Sequence, residues 1–202
     1  MSENKNNNSE MFKLGLILAL YASVSCAVLA VVNNFTSPKI ALNQEVKINN
    51  SMKAFFPEDD VSFEVISDFG KADSGSVKID SVIAARKDGK IIGGAAQVTG
   101  PTYDQGTVLV GMDLSGNVKG VKFLKLTDSP GFGLKANDPT FTLPSGKTFY
   151  GQFEGMNASE GFVAGETFDG ISGATITSKG VANLLTAGTS VLFAYFEGAG
   201  NE

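Results

Sequence analysis

The stretch Asp169-Gly170-Ile171-Ser172-Gly173-Ala174-Thr175-Ile176-Thr177 leads directly into a segment with helical periodicity. Between residues 178 and 196 the apolar residues recur at helical spacing, at Val181, Leu184, Leu185, Val191, Leu192 and Tyr195. Thr177 or Ser178 is predicted to be the N-cap of this helix, which would place Thr175 just outside its positive end. Such an end offers unpaired N–H groups that bind phosphate. The stretch therefore predicts either an anion site or a capped turn of small residues.

The composition favours a turn-rich β domain without its own redox metal. The chain has 202 residues, enough for one domain of about 150 residues and an appended segment. Its 24 glycines suit β structure, and its net charge of -5 argues against a nucleic-acid partner. The absence of His and the single Cys26 exclude a self-contained iron–sulfur cluster, and we predict neither a metal site nor a catalytic residue. Redox chemistry would therefore require an organic cofactor or another chain.

The N-terminal part of the chain predicts a membrane anchor. Residues 1–11 form a polar tail, and residues 14–32 carry no charge. At about 1.5 Å per residue this run covers roughly 30 Å, the thickness of a bilayer core. A cleavable signal peptide is the alternative, but the run is long and no Ala-x-Ala site precedes Asn33. We assign residues 12–33 to an uncleaved anchor, and the lysines on its two sides leave its orientation open.

The rest of the chain predicts a linker helix followed by a sheet. Ser37 and Pro38 are expected to be the N-cap and first residue of a helix that ends near Phe55, inside a linker of residues 34–57. Strands are predicted at residues 61–66, 77–86, 90–98, 107–114 and 118–126, and Asp88-Gly89 marks a hairpin. From residue 135 to 166 the chain is irregular, with Phe149, Phe153 and Phe162 as expected anchors.

These elements predict an α+β fold. The consecutive strands, with turn signals about every ten residues, indicate a twisted antiparallel sheet or partial barrel. Flanking helices would complete the domain of residues 58–202, and one transmembrane helix would precede it.

The opening stretch also resembles a known motif. Asp169-x-x-Ser172-Gly173-Ala174-Thr175 is similar to the D-x-x-[ST]-G-A-T motif of the FMN-binding domain family. That family includes the G subunit of the Rnf complex and the C subunit of the sodium-pumping NADH:quinone reductase. In it the last threonine carries FMN through a phosphoester, attached by a separate flavin transferase that uses FAD. The resemblance implies that Thr175 is the attachment point, presented by Ser172, Gly173 and Ala174, and that Asp169 is read by the transferase or its metal.

Two loops extend the resemblance. Residues 100–106, Gly-Pro-Thr-Tyr-Asp-Gln-Gly, occupy the place of a Gly-Tyr-x-Gly loop in the family but depart from its spelling. Residues 127–133, Thr-Asp-Ser-Pro-Gly-Phe-Gly, resemble the family's Glu-Thr-Pro-Gly-Leu-Gly loop, with Asp for Glu, Ser for Thr and Phe for Leu. Pro and Gly let a backbone approach a flat ring, although a simple Pro-Gly turn is the alternative. The further expected cofactor-binding residues are Tyr103, Pro130, Gly131, Phe132, Gly133 and Thr177.

The resemblance implies a membrane-anchored electron-transfer subunit with one covalent FMN, most like the G subunit of the Rnf complex. That complex passes electrons from reduced ferredoxin to NAD⁺ and couples the transfer to Na⁺ or H⁺ movement. The implied partners are its other membrane subunits, the flavin transferase and the lipid bilayer, with the FMN domain on the extracytoplasmic side of the cell membrane. Two alternatives stay open: the C subunit of the quinone reductase, and a tethered FMN-binding sensory module.

Overall fold

The computed structural model describes residues 3–67, 69 and 75–199, and the chain divides into two units between Val46 and Lys47. Helix α1 (Glu3–Phe55) makes up the described part of the N-terminal unit and continues into the C-terminal unit. From Ser9 to Val46 every side chain of this helix is exposed. The N-terminal unit therefore has no core of its own within the described residues.

Helix α1 is long and apolar enough to cross a membrane, by length and composition. None of its most apolar window is buried inside the protein, which separates it from the core helix of a soluble domain. Large apolar side chains such as Leu18 and Leu29 are 69% and 68% exposed. In water this surface would be costly, whereas a bilayer covers it. The expected N-terminal apolar helix is thus confirmed.

The linker helix does not begin at Pro38. The sequence pattern predicted a new helix with Ser37 as its N-cap, but α1 runs through both residues without a break. The nearby hydroxyls bond backwards: Thr36 Oγ1 donates to the Val32 carbonyl at 2.9 Å, and Ser37 Oγ donates to the Asn33 side-chain oxygen at 3.1 Å. Because these hydroxyls are engaged with the preceding turn, they do not cap the following one. Pro38 removes one N–H donor from α1 but does not end the helix.

The C-terminal unit is built on a five-stranded antiparallel sheet. Its strands are paired in chain order: β1 (Val61–Ile66), β2 (Lys78–Lys87), β3 (Lys90–Pro101), β4 (Gln105–Asp113) and β5 (Val118–Leu126). The sheet is open, with β1 and β5 at its edges. Asp88 and Gly89 both have positive φ, 51° and 76°, as a type I′ hairpin turn requires. The predicted antiparallel sheet and α+β class are confirmed.

Helix α2 (Thr175–Ala199) covers one face of the sheet. Its buried residues, Val181, Leu184, Leu185, Val191 and Leu192, belong to the main core cluster, and the helix contacts β3, β4 and β2. Two glycines allow close contact. A Cβ at Gly188 would lie 2.6 Å from Val110 Cγ1, and one at Gly180 would lie 2.6 Å from Thr102 Cα. Gly180 therefore holds the first turns of α2 against the loop that follows β3.

Helix α2 begins earlier than the sequence predicted. Thr177 and Ser178 were the expected N-caps, but the helix starts at Thr175, and the Ala174 carbonyl accepts its first bond, from Ser178 N at 3.0 Å. Both expected caps are only 1% exposed. Thr177 Oγ1 donates to the Asp128 carboxylate, and Ser178 Oγ donates to the Ala174 carbonyl. Neither hydroxyl is therefore free to cap the helix. Thr175 lies in the first helical turn and not before it.

The opposite face of the sheet is covered by the end of α1, within the C-terminal unit. Met52, Phe55 and Phe56 are buried there, in a cluster that also contains Ile83, Ala85, Ala95, Leu109 and Leu124. The Phe55 ring fits over two glycines: a Cβ at Gly111 or Gly120 would lie 2.5 or 2.4 Å from a ring carbon. Both faces of the sheet are therefore packed.

Between β5 and α2 the chain has three short 3₁₀ helices, Gly133–Asn137, Gly151–Phe153 and Ala158–Glu160. Phe149, Phe153, Phe162 and Phe168 form an aromatic cluster with ring centroids 5.0–6.1 Å apart. The expected anchoring role of Phe149, Phe153 and Phe162 is confirmed, since they are 0%, 0% and 7% exposed. The cluster fixes the segment that leads into residues 169–177.

Deleting residues 1–46 should give a soluble, folded domain. The C-terminal unit begins at Lys47 and keeps Met52 and Phe55, which cover the sheet. The full chain should stay in membranes after an alkaline carbonate wash, because its apolar helix is long enough to span. Membrane fractionation and thermal melting of the truncated chain measure both results. Release of the full chain by the wash, or aggregation of residues 47–202, would contradict this division.

Candidate functional site

A cavity of about 530 Å³ opens at the start of α2. Three segments line it: the loop between β3 and β4, the loop after β5, and the turn that leads into α2 together with the first helical turn. The lining residues are Tyr103, Ser129, Pro130, Phe132, Gly133, Gly173, Ala174, Thr175, Ile176 and Thr177. The three stretches that the sequence singled out therefore meet at one place.

The cavity gathers most of the expected binding residues but not all of them. Ser172, Gly131 and Asp169 are not among the lining residues, and all three are exposed. Ser172 and Gly131 are sequence neighbours of residues that do line the cavity. Asp169 lies several residues before the start of α2. The structure thus separates a group of lining residues from an exposed acidic residue beside them.

Thr175 and Thr177 differ in what their hydroxyls can reach. Thr175 is exposed at the cavity, and its hydroxyl has no hydrogen-bond partner among the residues that the structure describes. Thr177 is 1% exposed, and its Oγ1 donates to Asp128 Oδ2 at 2.5 Å. Of the two threonines, only Thr175 presents a free hydroxyl to an incoming reagent.

The first turn of α2 carries unpaired donors. The N–H groups of Thr175, Ile176 and Thr177 have no acceptor within the described part of the chain. They belong to the end of the helix where the macrodipole is positive. A phosphate group at this position would receive their hydrogen bonds without displacing any protein contact. The start of α2 is therefore suited to an anion.

Exposed apolar side chains surround the cavity. Tyr103, Phe132 and Ile176 are 63%, 57% and 60% exposed. Apolar walls with a few convergent polar groups are typical of pockets for a flat organic ligand. Ile176 was not expected from the sequence. The available signal was its place on α2, since it lies off the buried stripe formed by Val181 and Leu184.

Asp128 joins the three segments that line the cavity. Asp128 is 3% exposed. Its carboxylate accepts hydrogen bonds from Thr102 Oγ1 at 2.5 Å, Thr177 Oγ1 at 2.5 Å, Asp104 N at 3.0 Å and Tyr103 N at 3.2 Å. Burial by itself raises the pKa of Asp128, but these four hydrogen bonds outweigh it and hold the pKa below its ordinary value. The ionised carboxylate therefore ties the β3–β4 loop to the start of α2.

Asp128 was not predicted as a site residue from the sequence. In the loop resemblance it is only the Asp that stands where the family has Glu. The available signal was an acidic residue that closely follows a strand and precedes a Pro-Gly turn. Its partners could not be read from the sequence, because Thr102 and Thr177 lie 26 and 49 residues away.

Two glycines of the loop after β5, residues 127–133, have different roles. A Cβ at Gly133 would lie 2.5 Å from Asp128 Oδ2 and 2.6 Å from Thr177 Oγ1, so any side chain would disrupt that hydrogen bond. Gly131 has a φ of 77° and open space around its Cβ position. Gly133 is therefore required by packing, and Gly131 by backbone conformation.

Gly133→Ala should destabilise the domain more than Gly131→Ala. The first change overpacks a buried hydrogen bond and should cost about 2–3 kcal/mol. The second forces a side chain into the left-handed region and should cost about 1 kcal/mol. Urea unfolding of the two variants measures the difference. Equal losses would show that the contact of Gly133 with Asp128 is not a tight one.

Comparisons with known proteins match two regions of the chain to family models. Residues 103–189 match the family model of the FMN-binding domain, and residues 1–54 match that of the RnfG N-terminal region. The first match contains every residue that lines the cavity.

Relatives that align over most of the chain identify the family more closely. The chain is 31% identical, over 82% of each chain, to the G subunit of the ion-translocating oxidoreductase complex of Pectobacterium atrosepticum. It is 30% identical, over 85% of each chain, to the protein of the same name from Salmonella typhimurium. It is 29% identical to the G subunit of the Na⁺-translocating ferredoxin:NAD⁺ oxidoreductase complex of Acetobacterium woodii, over 86% of this chain and 87% of the relative. The chain belongs to the family of G subunits of ion-translocating oxidoreductase complexes. This supports the resemblance to the Rnf protein, and not the quinone-reductase or sensory alternatives.

Proposed function

We propose that the chain is the membrane-anchored electron-transfer subunit of an ion-translocating ferredoxin:NAD⁺ oxidoreductase complex, and that it carries one FMN bound covalently through Thr175. The observation that carries this proposal is the Thr175 hydroxyl beside three N–H groups, all without a partner among the described residues, inside a domain matched by the FMN-binding family. Thr175 is also the last residue of the stretch that resembles the family's attachment motif, Asp169-x-x-Ser172-Gly173-Ala174-Thr175.

The residues at the cavity fit FMN. A volume of about 530 Å³ lies within the range of small-molecule sites, about 300–1,000 Å³. The N–H groups at the start of α2 would hold the phosphate, and Tyr103, Phe132 and Ile176 would contact the apolar ring. When bound, FMN supplies a centre that accepts electrons and passes them on. The chain's own residues would bind it, and the exposed side of the site would face neighbouring subunits.

Thr175 acts in this proposal as an acceptor of modification. Its Oγ would form the new bond to the FMN phosphorus, the pyrophosphate bond of FAD would break, and AMP would leave. The hydroxyl proton needs a base, and the chain has no His, nor does any described residue accept a hydrogen bond from Thr175. A separate flavin transferase therefore supplies the base, and Asp169 serves its recognition.

The proposed partners are the other membrane subunits of the complex, the transferase and the bilayer. The relatives above are named as subunits of such complexes, and α1 supplies an apolar helix of sufficient length. By resemblance, the FMN domain lies on the extracytoplasmic side, where a covalent link prevents loss of the cofactor. The division into tail 1–11, anchor 12–33, linker 34–57 and FMN-binding domain 58–202 stays a prediction.

Coexpression with a flavin transferase tests the proposal. The full chain is produced in membranes with and without the transferase, separated on a denaturing gel and viewed under ultraviolet light. A fluorescent band and the mass of an FMN phosphoester should be present only with the transferase. A chain that stays colourless and unmodified in its presence would refute covalent attachment.

A further inference from the structure

Gln152 makes a two-sided hydrogen-bonded contact with the backbone of Asp169. Its Oε1 accepts from Asp169 N at 2.8 Å, and its Nε2 donates to the Asp169 carbonyl at 3.1 Å. The same Nε2 donates to the Phe149 carbonyl at 3.0 Å. The side-chain amide thus satisfies both backbone groups of Asp169, as a neighbouring strand would.

The chain is fixed on both sides of Asp169. Before it, Phe168 packs against Phe149 and Phe153, with ring centroids 6.0 and 5.0 Å away. After it, Ile171 is 2% exposed, and its N–H donates to Ser178 Oγ at 3.0 Å. The aromatic cluster and α2 therefore hold the backbone at the two ends of a short exposed segment.

The Asp169 side chain is left free by these contacts. It is exposed, and its carboxylate has no hydrogen-bond or ion-pair partner among the described residues. Gln152 is half-buried and directs its amide at the Asp169 backbone, not at its carboxylate. A charged group with a fixed backbone and no internal partner is preorganised for recognition by another molecule, because less conformational entropy is lost on binding.

We propose that Gln152 is a positioning residue for flavin attachment: it holds the Asp169 backbone so that the carboxylate is presented to the flavin transferase. The inference rests on the proposed function, since it concerns the enzyme that modifies Thr175. It gives a role to the irregular segment between β5 and α2. That segment carries Gln152 in the 3₁₀ helix Gly151–Phe153, anchored by the two flanking aromatic rings.

A double-mutant cycle tests this inference on the full chain. Wild type, Gln152→Ala, Asp169→Asn and the double variant are purified without FMN, and the rate of FMN incorporation from FAD is measured with purified transferase. Gln152→Ala should lower this rate by about 10- to 100-fold, the effect of a misplaced contact in an assembled reaction complex. In the Asp169→Asn background the same change should have less than about a twofold effect, because the positioned group is already missing.

A purely structural role for Gln152 predicts a different result. Loss of stability alone would lower the rate by the same factor in both backgrounds. Gln97→Ala is the matched control. Gln97 is another half-buried glutamine, on the sheet face opposite α2, and among the described residues its side chain accepts a hydrogen bond only from Ser81. It should leave the rate of incorporation unchanged even if it lowers the melting temperature.

Other outcomes separate the inference from the proposed function. If Gln152→Ala fails to fold, Gln152→Met keeps the length and packing of the side chain and is measured in its place. Equal rates for Gln152→Met and wild type, or for Asp169→Asn and wild type, would overturn the positioning role while covalent attachment stands. A wild-type chain that gains no FMN from the transferase would overturn both.

Discussion

Replacing Thr175 with Ala should abolish covalent FMN attachment and leave the domain folded. The Thr175 hydroxyl has no protein partner in the described structure, so removing it breaks no internal contact. Stability should change by less than about 1 kcal/mol. Because an alkyl side chain cannot form a phosphoester, the loss of adduct should be complete. Intact mass after coexpression with the transferase measures the adduct, and urea unfolding measures the stability.

Two matched variants make the Thr175 experiment specific. Thr175→Ser keeps the hydroxyl and should keep the adduct. Thr177→Ala should also keep the adduct on Thr175, but it should cost about 2 kcal/mol, because Asp128 loses a hydrogen bond to a charged acceptor. An FMN adduct on the Thr175→Ala chain, or its loss only in Thr177→Ala, would show that the acceptor is misassigned.

Local sequence patterns predicted the sheet well. Strands β1 and β5 have the predicted bounds, and the other three shift by one to three residues at their ends. Alternating apolar residues and the Asp88-Gly89 turn are local signals, and both faces of the sheet are packed. The hydrophobic effect therefore acts on the same residues that the pattern identifies.

The predictions that were wrong depend on which partner a side chain finds. Thr177 is a good N-cap by type, but Asp128, 49 residues earlier, takes its hydroxyl. Ser37 and Pro38 form a standard helix start, but the preceding turn of α1 takes the Ser37 hydroxyl. In both cases the residue type was read correctly and its partner was not. Propensity describes what a side chain can do, and the contact available in the folded chain decides which option is used.

The candidate site shows the same division between residue type and geometry. The motif resemblance singled out Thr175 and its neighbours, and the cavity brings them together with Tyr103 and Phe132. The resemblance assigned attachment to Thr175 and gave Thr177 only a binding role, without a structural reason for the difference. Their difference in exposure, which decides which hydroxyl is free, follows from the buried carboxylate of Asp128. The sequence therefore pointed to segments that line one cavity, and long-range hydrogen bonds determine which of their hydroxyls is free.

Replacing Asp128 with Asn should separate the loops of the site. The carboxylate accepts four hydrogen bonds, and an amide offers one acceptor oxygen and places an NH₂ group against donors. We expect a loss of about 3 kcal/mol at pH 7, and slower FMN incorporation because Tyr103 and Thr177 are no longer held together. Asp104→Asn in the same loop is the control. Only its backbone N–H contacts Asp128, so its cost should be less than about 0.5 kcal/mol.

Lowering the pH should remove the contribution of the Asp128 carboxylate to the stability of the domain. Because the pKa of Asp128 is lower in the folded than in the unfolded chain, its contribution is complete above the ordinary pKa, 3.8, and is lost as the pH falls through the folded pKa. Hydrogen bonds from Thr140 also lower the pKa of Asp138, so wild type alone does not isolate Asp128. The difference in unfolding free energy between wild type and Asp128→Asn isolates the contribution of Asp128. This difference should shrink steadily below about pH 4. A difference that stays constant down to about pH 2 would show that the ionised carboxylate does not hold these loops together.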